Sequence, residues 1–408
     1  MTQTSKQIKE SSILINIDNG GTLTDICAID GQKIYSTKTL TTPYDLSQCL
    51  FNGLKKISSV IYGQENLQKL LLSTQAIRYS TTQGTNALVE RKGPRIGLLI
   101  GGGLKSEKIK TAEKASDLFE SLIGSRVSEI NLNLTHDEIV NEAVKGIGYL
   151  ASQGANRVVV SMSGSERIEI EKILKQRLLK VFPPHLLGAL PILYSHELVD
   201  DGNDVRRTWT AVCNSFLHPA MERFLYNSEH KLREQKVTSP LLIFRNDGYS
   251  GRVAKTIAIK TYSSGPRGGM EGARALAENY KFKKLLTMDI GGTTTDIGVV
   301  QDGVVKATAR GRVEAVETSF PLCDVFSAGV GGSSIIKVEQ GKIKVGPESV
   351  GSAPGPAAFG LGGTSATITD CFLLGGLLDP VSFFGGDLKL NIEQAKTVIS
   401  KNIANELG

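Results

Sequence analysis

Apolar and polar positions along this chain fall into two rhythms. The run Ile13-Leu14-Ile15-Asn16-Ile17 stops at Asp18, two glycines follow, and a new apolar run begins at Ile26. Leu285-Leu286-Thr287-Met288 stops at Asp289 in the same way and resumes at Ile297. Short apolar runs bounded by turn residues predict strand, tight turn, strand at both places. The first hairpin continues through Gly31 to Ile34–Thr37 as a small meander. Between the hairpins the period lengthens. Leu46–Val60 reads as a helix, and Asp137–Leu150 places Ile139, Val140, Ala143, Val144, Ile147 and Leu150 on one helical face. Strands are predicted at Arg95–Ile100, Arg157–Met162, Ile192–Ser195 and Leu241–Phe244, and a helix at Arg167–Phe182. A long helical segment, Asp204–Lys236, is expected to break near His218-Pro219, because an interior proline removes a backbone donor. Another helix is expected to open at Met270, and a last one at Asn391, with Gln394 completing a capping box and Ile392, Ala395, Ile399 and Ile403 as its stripe. Strands alternating with helices predict a mostly parallel sheet covered by helices.

The two hairpins share chemistry as well as pattern. Asp18-Asn19-Gly20-Gly21-Thr22-Leu23-Thr24-Asp25 matches Asp289-Ile290-Gly291-Gly292-Thr293-Thr294-Thr295-Asp296 at six of eight positions. Glycine lets backbone N–H groups close on an anion, and threonine hydroxyls add donors. A carboxylate at the strand end suits a hydrated Mg²⁺, which takes few protein ligands and keeps its waters. One such stretch alone reads as readily as a glycine-rich turn. Two copies this far apart are no solenoid repeat, and they predict two related domains facing one phosphate-binding cleft.

The remaining candidate loops stay open between two readings. Thr81, Thr82, Thr85 and Asn86 either donate to a phosphate or substrate, or cap the helix that follows. Ser263-Ser264-Gly265-Pro266-Arg267-Gly268-Gly269 is either an anion-binding helix start or a plain strand-to-helix turn. Ser327–Ser334, with Gly331 and Gly332, is a flexible small-residue loop, and Lys344–Ala357 is an ordered Gly/Pro loop. Gly101-Gly102-Gly103 after a strand is not a dinucleotide fingerprint, since Ser106 stands where the third motif glycine belongs. Arg206 and Arg207 can reach a cleft or face solvent, and Lys105–Lys114 reads as solvated surface.

Composition narrows the classes. At 408 residues about two or three domains are expected. Forty percent hydrophobic and 22% charged residues make an ordinary globular chain. Net charge is +6 without a basic block or aromatic–basic interleaving, which argues against nucleic acid as a partner. Five scattered cysteines with no CxxC argue against a disulfide framework or a zinc site. Residues 1–12 lack a signal-peptide core, and no apolar run is long enough to span a membrane, so a cytoplasmic chain is expected.

Eight segments together carry a family resemblance. They are IDNGGTLTD (17–25), STTQGTNALVERKG (80–93), RRTWTAVCNSFLHP (206–219), SSGPRGG (263–269), MDIGGTTTD (288–296), GVGGSSI (329–335), VGPESVGSAPGPAAFGLGG (345–363) and TDCFLLGGLLDP (369–380). In order and spacing the chain resembles the HyuA-type subunit of the hydantoinase/5-oxoprolinase/acetone carboxylase family. That resemblance implies two actin-like (ribonuclease H-like) ATPase domains, α/β with mixed sheets flanked by helices. They are expected at 1–200 and 201–408, the second incomplete. It implies ATP and Mg²⁺ as cofactors, with Asp18 and Asp289 as catalytic and metal-holding residues. Gly20, Gly21, Thr22, Thr24 and Asp25 are the implied phosphate contacts from the first domain. Gly291, Gly292, Thr293, Thr294, Thr295, Asp296, Gly331 and Gly332 are those from the second. Thr81, Thr82 and Asn86 are the implied cleft residues.

The implied reaction is phosphorylation of the carbonyl oxygen of a cyclic amide such as hydantoin or 5-oxoproline, followed by ring opening, usually with a HyuB-type partner subunit. A ketone carboxylase subunit is the alternative within the family, and a non-catalytic scaffold keeping the fold is the alternative outside it. A sugar kinase is disfavoured by the missing zinc cysteines, and a reductase activator by the missing cluster cysteines. The chain departs from the family at three places. Tyr79-Ser80 replaces His-Gly, a lysine-rich stretch replaces an arginine-rich one after Ile100, and the family's GGxGP-like base-packing loop has no match after Asp289.

Overall fold

Ile13, Ile15 and Ile17 leave one face of β1 (Ile13–Asn19) for the core, while Asn16 and Asp18 leave the other. In the computed structural model, residues 13–407 are described except 43, 113, 114, 187 and 238. The segment 1–12 and the end of the lysine-rich stretch, Lys114, lie outside the described residues. β1 pairs antiparallel with β2 (Leu23–Asp30), which pairs antiparallel with β3 (Lys33–Leu40). Its other edge takes β4 (Thr74–Thr81) in parallel. The helix Leu46–Tyr62 covers the apolar face with Leu46, Cys49, Leu50, Leu54 and Ile57. It lies so close that a Cβ on Gly53 would come within 2.4 Å of Ile26 Cδ1.

A second sheet follows. β5 (Ile96–Gly101), β6 (Val127–Ile130), β7 (Arg157–Met162) and β8 (Ile192–Tyr194) run parallel in the order β6-β5-β7-β8. The helices His136–Ser152 and Arg167–Val181 cover one face through Ile139, Ala143, Ile147, Leu150, Leu174 and Leu178. The helix Asp204–Glu234 contributes to the core that also takes in the first sheet and Ile96, Leu98, Ile100 and Val159 of the second. It is continuous through Pro219, so the expected break near His218-Pro219 does not occur: Met221, Phe224 and Leu225 beyond the proline are buried in the same core, and that packing outweighs the lost backbone bond. β9 (Leu241–Phe244) and β10 (Ser250–Arg252) then return to the first sheet, whose order is β10-β9-β4-β1-β2-β3.

The helix Ser264–Asn279 starts six residues before the expected Met270. It packs on the second hairpin, β11 (Lys284–Ile290) and β12 (Thr295–Gln301), through Met270, Ala273 and Ala277. The pairing Asp289↔Asp296 reproduces Asp18↔Asp25 of the first hairpin. Burial does not reproduce it: Ile15 and Ile17 are 0% and 2% exposed, whereas the equivalent Leu286 and Met288 are 65% and 61% exposed. Part of the expected loop 344–357 is strand, since Lys342–Ser349 pairs with Ser334–Glu339.

Candidate functional site

Both motif turns close alike. Gly20 N–H donates to Leu23 O at 2.9 Å, and Gly291 N–H donates to Thr294 O at 2.8 Å. The turns meet directly, because a Cβ on Gly292 would sit 2.5 Å from Thr22 Oγ1. The strand-end carboxylates Asp18 and Asp289 lie near enough for their charges to interact. Both are exposed, as are Gly21, Gly291, Thr293 and Thr294.

Asp18 carries a perturbed carboxyl. Its carboxyl is raised above the ordinary range, first by desolvation and then by repulsion from Asp25, Asp289 and Asp296. A hydrogen bond from Ser80 Oγ to Asp18 Oδ1, at 2.7 Å, works in the opposite direction. Asp296 is raised too, by desolvation and by Asp289, while Ser327 donates to it. Asp25 is held by Lys38 Nζ at 2.7 Å. The first turn of the helix Ser264–Asn279 reaches Asp18 as well, since a Cβ on Gly265 would lie 3.1 Å from Asp18 Oδ1. Helix N-termini favour negative charge. The preceding Ser263 sits at φ 57°, and neighbouring bonds hold that strained start in place: Ser263 N–H to Thr85 Oγ1 at 3.2 Å, and Ser264 Oγ with Thr81 N–H and C=O at 3.1 Å each.

Other expected contacts are committed elsewhere. Thr24 is fully buried; its Oγ1 accepts from Asn19 Nδ2 at 2.8 Å and is 2.9 Å from Thr41 Oγ1. Thr81, also buried, donates to Asn19 Oδ1 and accepts from Gln83 N–H just before the helix Gln83–Val89, whose N-cap residue Thr82 makes no side-chain cap bond. Thr82 Oγ1 donates to Asn19 O. Asn86 is exposed, with Nδ2 against Gly21. The Gly331 N–H donates to Ser334 Oγ, and the Gly332 N–H to Gly291 O at 2.9 Å, so this loop clamps the second turn with its own donors. Thr295 Oγ1 completes the clamp by donating to Val330 O at 2.6 Å.

Ser80 escaped the sequence reading, and Arg207 takes neither of its expected places, a cleft or solvent. Ser80 becomes visible only through its register partner Asp18 across β1 and β4. Arg207 is buried at 1% exposure, where it donates to Ser195 Oγ, Met162 O, Asp201 O and Asp204 Oδ1. Arg206, beside it, grips Asp201 with two N–H groups at 2.7 and 2.8 Å and, against the raising effect of burial, holds that carboxyl well below the usual range.

From Asp18 a cleft of about 1110 Å³ runs along the outer face of the first sheet, past Asn16, Arg78 and Phe244, to Phe384. Among the described residues no three His, Cys, Asp or Glu side chains converge as a metal cage. Two strand-end carboxylates beside glycine-rich turns instead fit a hydrated Mg²⁺ that completes its shell with water and phosphate oxygens. No helix among the described residues is long and apolar enough to cross a membrane.

The profile of the hydantoinase/oxoprolinase N-terminal region matches residues 14–179, and that of hydantoinase/oxoprolinase matches residues 207–408. The acetophenone carboxylase gamma subunit of Aromatoleum aromaticum is 31% identical over 97% of this chain and 57% of its own length. Caprolactamase subunit alpha of Pseudomonas jessenii is 27% identical over 97% of this chain and 59% of its own. A nucleotide-free acetone carboxylase structure superposes with a TM-score of 0.82 at 22% identity, covering 97% of this chain and 59% of that one. This chain thus spans under two thirds of the length of these relatives. The fold is the expected one, α/β with mixed sheets and flanking helices of the actin-like ATPase type.

Proposed function

The chain belongs to the hydantoinase/oxoprolinase family, and from that premise we propose that it is the nucleotide-gripping subunit of an ATP-dependent cyclic amidohydrolase. The observation that supports this most strongly is the contact between the turns at Thr22 and Gly292, with Asp18 and Asp289 near enough for their charges to interact. Phosphoryl transfer needs little else than positioning and charge neutralisation. In this reading Gly20, Gly21 and Thr22 hold the phosphates from one side, and Gly291, Gly292, Thr293 and Thr294 from the other. Thr24, Thr81, Thr295, Gly331 and Gly332 fix the turns. Asp18 and Asp289 would hold Mg²⁺, whose charge offsets that of the phosphates. Asp18 also orients the attacking carbonyl oxygen of the amide. That oxygen takes the γ-phosphoryl group and ADP leaves. Water then attacks the activated carbon, and the ring C–N bond breaks as the nitrogen takes a proton, leaving an acyl phosphate. A second water attacks that acyl carbon, so that phosphate departs with the former carbonyl oxygen.

A HyuB-type partner in a cytoplasmic hetero-oligomer belongs to this proposal, in line with relatives that are themselves named as subunits. The likeness to an acetophenone carboxylase subunit favours a second reading, in which the activated oxygen belongs to the enol of a ketone and the carbon meets activated bicarbonate. The test is isotopic. The chain, with any subunit that co-purifies, is given ATP and a lactam labelled with ¹⁸O at its carbonyl. Label in inorganic phosphate is expected. Ring opening with unlabelled phosphate contradicts the proposal, and ATP turnover driven only by a ketone with bicarbonate selects the second reading.

A further inference from the structure

The cleft beside Asp18 holds a cation that the nucleotide does not explain. Most charges lining it are neutralised within the protein. Asp25 pairs with Lys38, Lys56 with Asp387, and Glu271 with Arg267 and Arg274. Asp18 and Arg78 are the exceptions. Among the described residues Arg78 has no carboxylate within ion-pair distance, and its guanidinium makes one long hydrogen bond, Nη1 to Asn16 Oδ1 at 3.4 Å.

Arg78 is exposed, and its side chain lines the cleft. Arg78 lies on β4, an inner strand between β9 and β1, two residues before Ser80 on the same face. Its register partners are Asn16 and Leu242, and Ser80's partner is Asp18. Two-residue spacing along a strand puts Arg78 about 7 Å from the Asp18–Ser80 pair. Leu242 and Phe244 of β9 line the same wall and offer apolar surface to the rest of a small ligand. A guanidinium presents parallel N–H groups that match a planar carboxylate edge to edge.

We propose that Arg78 anchors a planar carboxylate-type anion beside Asp18, placing the carbonyl to be activated at the nucleotide gap. This rests on the reading of the cleft as the substrate site of an ATP-dependent carbonyl-activating enzyme. The same chemistry has two sources, a carboxylate carried by the cyclic amide or bicarbonate.

The test is titration of the 408-residue chain with 2-pyrrolidone-5-carboxylate, with its uncharged analogue 2-pyrrolidone, and with bicarbonate against chloride at equal ionic strength. Heat and the thermal unfolding midpoint are read for the unmutated chain, Arg78→Gln and Arg78→Lys. Mg·ATP is titrated into all three, so that a failed nucleotide site is told apart from a failed anion site. If the source is the substrate, the acid binds more tightly than the neutral amide. Arg78→Gln weakens it about 10- to 100-fold, the range of a charge-assisted hydrogen bond, Arg78→Lys recovers part, and Mg·ATP binding is unchanged. If the source is bicarbonate, only bicarbonate raises the midpoint and Arg78→Gln abolishes that rise. Absent binding of both anions, or binding indifferent to Arg78, overturns the proposal.

Discussion

Thr22 and Gly292 touch across the two motif turns, leaving no room for a methyl group between them: a Cβ at Gly292 would come within 2.5 Å of Thr22 Oγ1 and 3.1 Å of its Cβ. The glycine is needed here for close approach rather than for turn geometry. Gly292→Ala is expected to push the turns apart and weaken Mg·ATP binding by about tenfold or more, since small misplacements at such sites carry large penalties. Gly272→Ala is the control, at an exposed helical position with nothing within 4 Å. It is expected to leave binding alone and stabilise by about 0.5–1 kcal/mol. Calorimetry and thermal denaturation of both variants check this pair.

The raised carboxyl of Asp18 makes stability depend on pH in a definite sense. The folded chain holds this proton more tightly than the unfolded one, so stability is present below the ordinary value of 3.8 and is lost as pH rises through the folded value. Asp18→Asn removes that loss. It is expected to raise the unfolding midpoint at pH 7, with the gain vanishing near pH 3.5, and to abolish Mg·ATP binding, a trade of function for stability. Mg²⁺ added to the unmutated chain is expected to raise the midpoint at pH 7 and not at pH 3.5. Differential scanning calorimetry across the range reads both effects.

Equivalent positions in the two hairpins should respond unequally. Ile17 is buried and Met288 is exposed. Ile17→Ala is expected to lose about 2–5 kcal/mol through lost burial and a cavity, whereas Met288→Ala stays within about 0.5 kcal/mol. Urea denaturation separates the two.

Removing Arg207 leaves its buried acceptors unpaired, among them Met162 O and Asp201 O. Arg207→Ala is expected to destabilise by about 3–5 kcal/mol, the usual penalty for breaking a buried charge network. Because this network lies away from the hairpin turns, Mg·ATP affinity of the folded fraction should hold, which a titration at low temperature measures.

Much of the site could be read from the chain because its signals are local. A carboxylate, two glycines, hydroxyls and a second carboxylate between apolar runs specify a tight hairpin turn, seen in both copies, and the alternation of Ile13, Ile15 and Ile17 specifies the buried face. What stayed hidden depends on long-range pairing. Ser80 meets Asp18 only through the register of β4 on β1. Arg207 gives no periodic signal, because every residue from 207 to 217 of its helix is buried. Pro219 reads as a breaker locally, and only the packing of Met221, Phe224 and Leu225 shows why the helix goes on. Gly331 and Gly332 read as open phosphate donors, yet their N–H groups close on Ser334 and on the second turn.

On the proposed function, both hairpins grip one nucleotide. The measurement that tests it most directly is calorimetric titration of the chain with Mg·ATP beside Asp18→Asn and Asp289→Asn. One-to-one binding that either single substitution abolishes is the predicted result. Binding that survives Asp289→Asn unchanged, or no binding by the unmutated chain, would contradict it.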